Sequence, residues 1–379
     1  MLIWVFFAAS SLIGLIYAYN VWTYAEKNSN MYNFPSSKGN HIDIEGISVL
    51  IPFRNERPVL SENLSSLLAQ ELEGLKVEFI YINDHSEDQG EHLLRPFEEQ
   101  GLIRLIDLEA GVTGKKSALE LGINEAKYPW ILTSDADCTY SKYWLQTIAK
   151  TLGRHDAIDA CCAPVNIPGR SKFIHSFQFW DMLAVMGMTA AGHRGLGFAM
   201  ANGANFAFRK SVFVELGGYD GARHLASGDD MFMVAKIANR EGGDIVFADD
   251  LDASVHTRPI GDWGALFQQR LRWAGKTNAY QDFTLKYHIG LSFVFSSLII
   301  LAWGLSIFES AFLSTALFLL FFRLAIDFLY LRFMARKYSQ PVWDVYFPFV
   351  QLFHILYIVL IGCCALFMKT YQWKGRRLQ

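Results

Sequence analysis

The chain has 379 residues, of which 52% are hydrophobic and 30 are Phe, with a formal net charge of −3. A near-neutral balance without a basic stripe argues against a nucleic-acid partner. The cysteines (Cys138, Cys161, Cys162, Cys363 and Cys364) form no CxxC pair and, being odd in number, no simple disulfide framework. They read as reduced, buried thiols.

Residues 2–19 carry no charge and approach the roughly 20 residues a helix needs to cross hydrocarbon. A cleaved signal peptide would carry a basic n-region and a small-residue cleavage site. Neither is present, so residues 1–22 read as a retained anchor, and 20–45 as a polar joint. From residue 46 an alternation begins. Strand-like runs at 47–52, 77–83, 102–108 and 130–133 alternate with helical patterns at 59–70, 84–100 and 115–126. Such an alternation predicts a mostly parallel sheet with helices on both faces, whose ligands bind beyond the carboxyl ends of the strands.

Phe173–Met188 is an apolar helical stretch inside this region, expected to pack in its core, with an acceptor groove as the alternative. Trp263–Trp273 mixes Trp, Leu and Phe with Arg270 and Arg272 ahead of Lys276, as in a helix lying in a membrane interface. Two further spans are expected from 289 to 322, meeting near Ser310, and a third from 345 to 368. Arg323 and Asp327, four apart on one helix face, are expected to neutralise each other. None of the ten histidines pairs at metal-ligand spacing.

Polar clusters follow three of the strands: Pro52-Phe-Arg-Asn-Glu56, Asn83-Asp-His-Ser-Glu-Asp88 and Ser134-Asp-Ala-Asp-Cys138. A single carboxylate there is most simply a loop residue or helix cap, but three clusters at three strand ends point to a site. Asp135 and Asp137 offer paired hard oxygens to a divalent ion that keeps open positions for diphosphate. That ion would act as a Lewis acid on the leaving group.

These clusters, with Gly114-Lys-Lys-Ser-Ala-Leu119, Gly203-Ala-Asn205, Gly228-Asp-Asp230 and Gln269-Arg-Leu-Arg-Trp273, occur in one order over residues 46–276. In this the chain resembles the membrane-bound family-2 inverting glycosyltransferases, which include cellulose, chitin and hyaluronan synthases and ceramide glucosyltransferase. The resemblance implies an α/β fold, a Rossmann-like GT-A nucleotide-sugar domain with flanking transmembrane helices. It implies that Asp84 reads the uracil base, that Pro52 and Glu56 line the nucleotide pocket, and that Lys115 or Lys116 lies near the diphosphate. It places Asp135 by the donor sugar and ribose and Asp137 on the metal, Mg²⁺ or Mn²⁺. It makes Asp230 the general base, beside Asp229, and puts Gln269, Arg272 and Trp273 at the diphosphate and the acceptor.

The expected organisation is an anchor at 1–22, a catalytic domain at 46–256, an interface segment at 257–285 and a helical bundle at 286–368. The expected reaction moves a hexose or N-acetylhexosamine from a UDP-sugar to a membrane-associated glycolipid or growing polysaccharide. An inactive membrane scaffold or a polysaccharide-export component is the alternative. A polymer channel would call for a homo-oligomer, since four spans are few. The catalytic domain is expected to face the cytoplasm. Arg332, Arg336 and Lys337 agree with that by the positive-inside rule, whereas the basic tail Lys369–Arg377 opposes it.

Overall fold

The structure, a computed structural model, describes residues 1–29, 44–154, 156–222, 228–275, 282–367, 371–373 and 376–378. In chain order it begins with α1 (Leu2–Ser29), β1 (Ile47–Phe53), α2 (Arg57–Leu68), β2 (Val77–Asn83), α3 (Glu91–Glu99), β3 (Arg104–Asp107), α4 (Lys115–Glu125) and β4 (Trp130–Thr133). It continues with β5 (Cys138–Tyr140), α5 (Trp144–Leu152), β6 (Ile158–Cys162), β7 (Val165–Asn166), α6 (Phe173–Ala191), β8 (Phe206–Arg209), α7 (Lys210–Glu215), α8 (Asp229–Ala238), β9 (Asp244–Phe247) and β10 (Val255–Thr257). The last elements are α9 (Trp263–Ala274), α10 (Phe283–Ser306), α11 (Phe312–Lys337), α12 (Phe347–Phe367) and a ribbon of β11 (Tyr371–Trp373) and β12 (Arg376–Leu378).

The chain divides into two units. One comprises Tyr32–Pro168, Ala199–Arg258 and Gln372–Gln379, the other Met1–Met31, Gly169–Phe198 and Pro259–Tyr371.

The first unit is α/β. Its seven-stranded sheet has the order β3-β2-β1-β4-β8-β6-β9. Strands β3, β2, β1 and β4 are mutually parallel, so their carboxyl ends lie along one edge. β1 is buried along almost all its length, which is why it reads as an unbroken apolar run rather than an alternating one. α2 starts with Pro at its first turn, where no amide hydrogen is missed. α4 closes down on β1 and β2 at Gly122, where a Cβ would meet Leu50 and Ile82 at 3.0–3.2 Å.

Two details depart from the sequence expectation. β8 runs antiparallel to both β4 and β6, so the sheet is mixed. The polar stretch after β2 is helical only from Glu91, because His85 and Gln89 take positive φ angles of 53° and 59° in the loop before it. A smaller sheet, β5-β10-β7, completes the unit.

The second unit is helical. α1, α10, α11 and α12 are long and apolar enough to cross a membrane. At 1.5 Å rise per residue the shortest, α12 with 21 residues, spans roughly the 30 Å of a hydrocarbon core. α1 runs on through Ser29, beyond the uncharged stretch, because its polar side chains find partners within the unit. Asn20 Nδ2 donates to Ile16 O (2.9 Å) and Tyr287 Oη (3.1 Å), and Asn28 Nδ2 to Tyr24 O and Gly187 O (both 2.8 Å).

α6 belongs to this unit, not to the core of the sheet. Phe177, Trp180 and Leu183 join Tyr17, Phe295 and Met334 in one apolar cluster, and Trp180 Nε1 donates to Asp344 Oδ2 at 2.8 Å. An all-round apolar helix is a buried helix, and here it is buried among other helices. Arg323 and Asp327 pair as expected, Nε to Oδ2 at 2.9 Å. Lys276 and the joint from residue 30 to 43 lie outside the described residues, as do the side chains of the basic tail.

Candidate functional site

The loops after β1, β2 and β4, the start of α4 and the start of α8 build the site in the α/β unit. The β1 and β2 loops are cross-tied. Arg54 Nη1 donates to Asp84 O at 2.9 Å, Asp84 N to Phe53 O at 2.9 Å, and Glu87 N to Asn55 Oδ1 at 2.7 Å. Asp84 is buried, and its Oδ2 accepts from Gly114 N at 3.0 Å. Gly114 sits at φ 101°, which favours a residue without a Cβ. Pro52 is the penultimate residue of β1, and Glu56 stands at the start of α2, its carbonyl accepting from Val59 and Leu60. Asp88 has a loop-fixing role: its carboxylate accepts from Arg57 N (2.8 Å) and Gly90 N (3.0 Å).

The sequence leaves Lys115 and Lys116 undistinguished, and the structure separates them. Lys115 Nζ lies 2.6 Å from Asp135 Oδ1 and 3.8 Å from Asp229 Oδ2. Burial alone would lower its pKa, but Asp135 and then Asp229 outweigh burial and hold it above the ordinary lysine range. Lys116 instead donates to Ala222 O at 2.7 Å, and burial depresses its pKa against the pull of Asp229 and Asp230.

Asp230 Oδ2 accepts from Gly203 N at 2.8 Å and its Oδ1 from Met231 N at 2.7 Å, so the carboxylate is held at both oxygens. A Cβ on Gly203 would come within 3.2 Å of Asp229 Oδ2 and Lys115 Nζ and 3.5 Å of Asp230 Oδ2. Gly203 is therefore the bare floor of a cradle ringed by Lys115, Asp229 and Asp230. Asn205, in the same motif, is structural. It bonds Trp144 Nε1, Pro164 O and Ala253 O.

Support for the Asp135–Asp137 turn comes from residues that sequence reading passed over. Asn63, on α2, donates to Cys138 O at 2.8 Å and accepts from Tyr81 Oη at 2.6 Å. Tyr140 Oη donates to Ser134 Oγ, which donates to Ala204 O, both at 2.8 Å. Burial raises Cys138, with Asp137 and Asp135 adding to it, so this thiol stays protonated and inert. An isolated Asn or Tyr gives no sign of such a task in a sequence; the signal is only that Asn63 interrupts the buried face of a helix.

The donor set suits a divalent cation. Asp135 and Asp137 present hard oxygens, and the ring around Lys115 holds more carboxylates than ammonium groups. Among the described residues no three His, Cys, Asp or Glu converge as a complete protein cage. Mg²⁺ sites of this kind keep few carboxylates and take the rest of their ligands from substrate phosphates. Gln269, Arg272 and Trp273 lie on α9, in the helical unit. There Arg270, buried, stacks on Trp273 at 4.3 Å and pairs with Asp181 at 2.9 Å.

Residues 48–217 match the family model Glycosyl transferase family 2. The chain carries a family-2 glycosyltransferase domain. It is 27% identical to the poly-beta-1,6-N-acetyl-D-glucosamine synthase of Staphylococcus epidermidis over 184 residues, 48% of this chain and 44% of that protein. It is also 27% identical to the probable glycosyltransferase YdaM of Bacillus subtilis over 280 residues, 71% of this chain and 65% of YdaM. The chain thus spans about half the length of the synthase. Among solved structures it resembles the mannosyltransferase PcManGT of Pyrobaculum calidifontis, in complex with GDP-Man and Mn²⁺. The TM-score is 0.57 at 18% identity, covering 97% of this chain and 98% of that one. That likeness establishes a shared GT-A fold.

Proposed function

We propose that this chain transfers a hexose or N-acetylhexosamine from a UDP-sugar to a membrane-associated acceptor, with inversion at the anomeric carbon. The observation that carries the reading is the convergence of Lys115, Asp135, Asp229 and Asp230 around the bare backbone of Gly203. Asp84, with Pro52 and Glu56, holds the nucleoside. Lys115 meets the diphosphate as a protonated cation, with Lys116 behind it, and Asp135 orients the ribose and donor sugar. Mg²⁺ or Mn²⁺ on Asp137 and Asp135 supplies charge neutralisation of the leaving diphosphate when bound.

Asp230 takes the proton of the acceptor hydroxyl as the acceptor oxygen bonds to the anomeric carbon. The bond from that carbon to the phosphate oxygen breaks, and the electron pair leaves with the nucleotide. Two backbone N–H donors fix the carboxylate of Asp230, so it needs no reorganisation for this step. Gln269, Arg272 and Trp273 are assigned to diphosphate and acceptor by motif alone.

The α/β unit is assigned to the cytoplasmic side. Lys337 Nζ, at the end of α11, donates to Asn28 O at the end of α1 (2.7 Å), so Arg336, Lys337 and Lys27 gather at the end of the helical unit where α1 leads toward the α/β unit. Positive charge at that end fits the positive-inside rule.

The test is product analysis. Purified protein in membranes receives labelled UDP-sugars, and GDP-mannose because PcManGT was solved with it, together with Mn²⁺ and a lipid extract. Label should pass from a UDP-sugar to product, and Asp230→Asn should lower the rate by about 10²–10⁴-fold without loss of folding. Transfer from GDP-mannose alone would overturn the uridine assignment. Equal rates in Asp230→Asn would overturn its role as base.

A further inference from the structure

Gln269, Arg272 and Trp273 share one face of α9, since residues three and four apart on a helix are neighbours. All three are partly exposed, whereas Arg270, on the adjoining side, is buried. Trp273 belongs to both sides. It stands three residues after Arg270, whose guanidinium lies 4.3 Å from the centre of its ring. A flat guanidinium stacks on an aromatic face, and Trp is the aromatic residue that attracts a cation best. The tilt of the Trp273 ring therefore follows the place of the Arg270 guanidinium.

That place is set from outside α9. Asp181, buried on α6, meets Arg270 Nη2 at 2.9 Å through Oδ2 and accepts from His354 Nε2, on α12, at 3.2 Å through Oδ1. One carboxylate thus commits each oxygen to a different helix. The Arg270 contact is out of line for a hydrogen bond, and Nε has no hydrogen-bond partner among the described residues. Charge at Asp181 and stacking on Trp273 are what locate the guanidinium. The docking of α9 does not depend on this pair. Gln178, one turn before Asp181, holds the approach to α9 by two bonds with Ile260, Nε2 to O at 2.8 Å and N to Oε1 at 2.9 Å. Trp263, at the start of α9, packs on Phe173, Phe177 and Phe353. A buried ion pair is often no more stabilising than apolar residues of the same volume. What Asp181 adds at the far end of α9 is orientation.

We infer that Asp181 is a positioning residue for the acceptor step: through Arg270 it fixes the orientation of Trp273, and His354 braces it from α12. The acceptor part rests on the transferase reading, which gives Trp273 to the acceptor, whereas the orientation part does not. A pair that only joined α6 to α9 would cost stability when broken and leave Trp273 undisturbed. Lysine at position 270 separates the two roles. It keeps a cation for Asp181 but has no flat face for the indole.

The experiment uses the full chain in nanodiscs, labelled with fluorotryptophan and held well below its melting temperature. The fluorine resonance of Trp273 is the one missing from Trp273→Phe. It should shift in Asp181→Asn, Arg270→Met and Arg270→Lys. In the product assay with labelled UDP-sugar and lipid extract, the half-saturating amount of extract should rise about fivefold in these variants, while KM for the UDP-sugar stays within about twofold. Arg270→Lys should melt closest to the native protein, and keeps the test sharp if either of the other two fails to fold. An unmoved Trp273 resonance in the folded variants overturns the inference. A moved resonance with unchanged dependence on extract overturns the acceptor part, as does an equal rise in KM for the UDP-sugar, which marks a general loss of the site. If the native protein transfers no sugar to any component of the extract, the transferase reading fails, and a moved resonance still upholds the hold of Asp181 on Trp273.

Discussion

The two units bury charge for opposite ends. In the helical unit Arg323 and Asp327 answer each other on one helix, capped by Tyr17 and two serines, with nothing left over. In the α/β unit Lys115 faces Asp135, Asp229 and Asp230 at once, a surplus of negative charge at strand and helix ends. A matched pair in an apolar wall is a structural element, since each ion makes the other's burial tolerable. An unmatched cluster has charge left over for a ligand, and the proposed cation and diphosphate are of the kind that would balance it. The difference shows that the residue types alone do not mark a site; the balance of charge around them does.

Arg323→Met should produce the largest effect on stability, because it leaves Asp327 buried without its cation. A loss of about 3–5 kcal/mol is expected, read as a fall in melting temperature of the detergent-solubilised protein. Adding Asp327→Leu should restore most of it. If the double variant is no better than the single one, the pair is not the self-contained element described here. Lys115→Met should do the reverse. Transfer should fall by about 10²–10³-fold, the range for losing a group aimed at developing charge. Melting should move less than in Arg323→Met, since Asp135, the acid nearest Lys115, is 39% exposed and keeps its hydration.

Much of the fold was legible because its signals are local. The strands at β1, β2 and β4 and the helix at α4 lie where apolar runs and periodicity put them, and α10 and α12 cover expected spans, whereas α11 runs past the expected end at residue 322 through Arg323, Asp327, Arg332 and Arg336 to Lys337. What stayed hidden depends on partners far away in the chain. β8 is four residues long, and nothing in Phe206–Arg209 says that it will run antiparallel between β4 and β6. Phe173–Ala191 announces burial, but an apolar helix does not say whether a sheet or other helices will cover it. At the site, Asp135 and Asp229 lie far apart in sequence, and only the order of family motifs suggested that they meet. The choice between Lys115 and Lys116 needed the coordinates, because adjacent residues at a helix start point in different directions.

Asp181→Asn tests whether the helical unit's second pair behaves like its first. Burial pushes Asp181 up, yet Arg270 and then His354 outweigh it and hold its carboxyl below the usual carboxylate range. A depressed acid contributes stability that is present above its unfolded pKa, about 3.9, and is lost as pH falls through the folded value. The melting difference between the native protein and Asp181→Asn should therefore stay constant from pH 8 to pH 5, at about 2 kcal/mol. It should shrink only below about pH 4. A difference that already collapses above pH 5 would mean that Arg270 does not hold the Asp181 carboxylate as described.

Gly203→Ala is the smallest change and bears most directly on the contrast between the units. The added methyl would stand 3.2 Å from Lys115 Nζ and from Asp229 Oδ2, tighter than ordinary contact by a few tenths of an ångström. Gly203 has no positive φ, so the backbone itself tolerates alanine and only the cradle is disturbed. In a packed wall such an insertion costs about 1–3 kcal/mol. Here Lys115 has a flexible stem and is 21% exposed, so the stability loss should stay below about 1 kcal/mol. The effect should fall on the donor. Its KM should rise several-fold while kcat changes little, because the methyl occupies space the diphosphate and sugar need before any bond is made or broken. Full stability with unchanged KM would mean that nothing is bound over Gly203, and the cradle would then be no more than a polar patch with an unusual balance of charge.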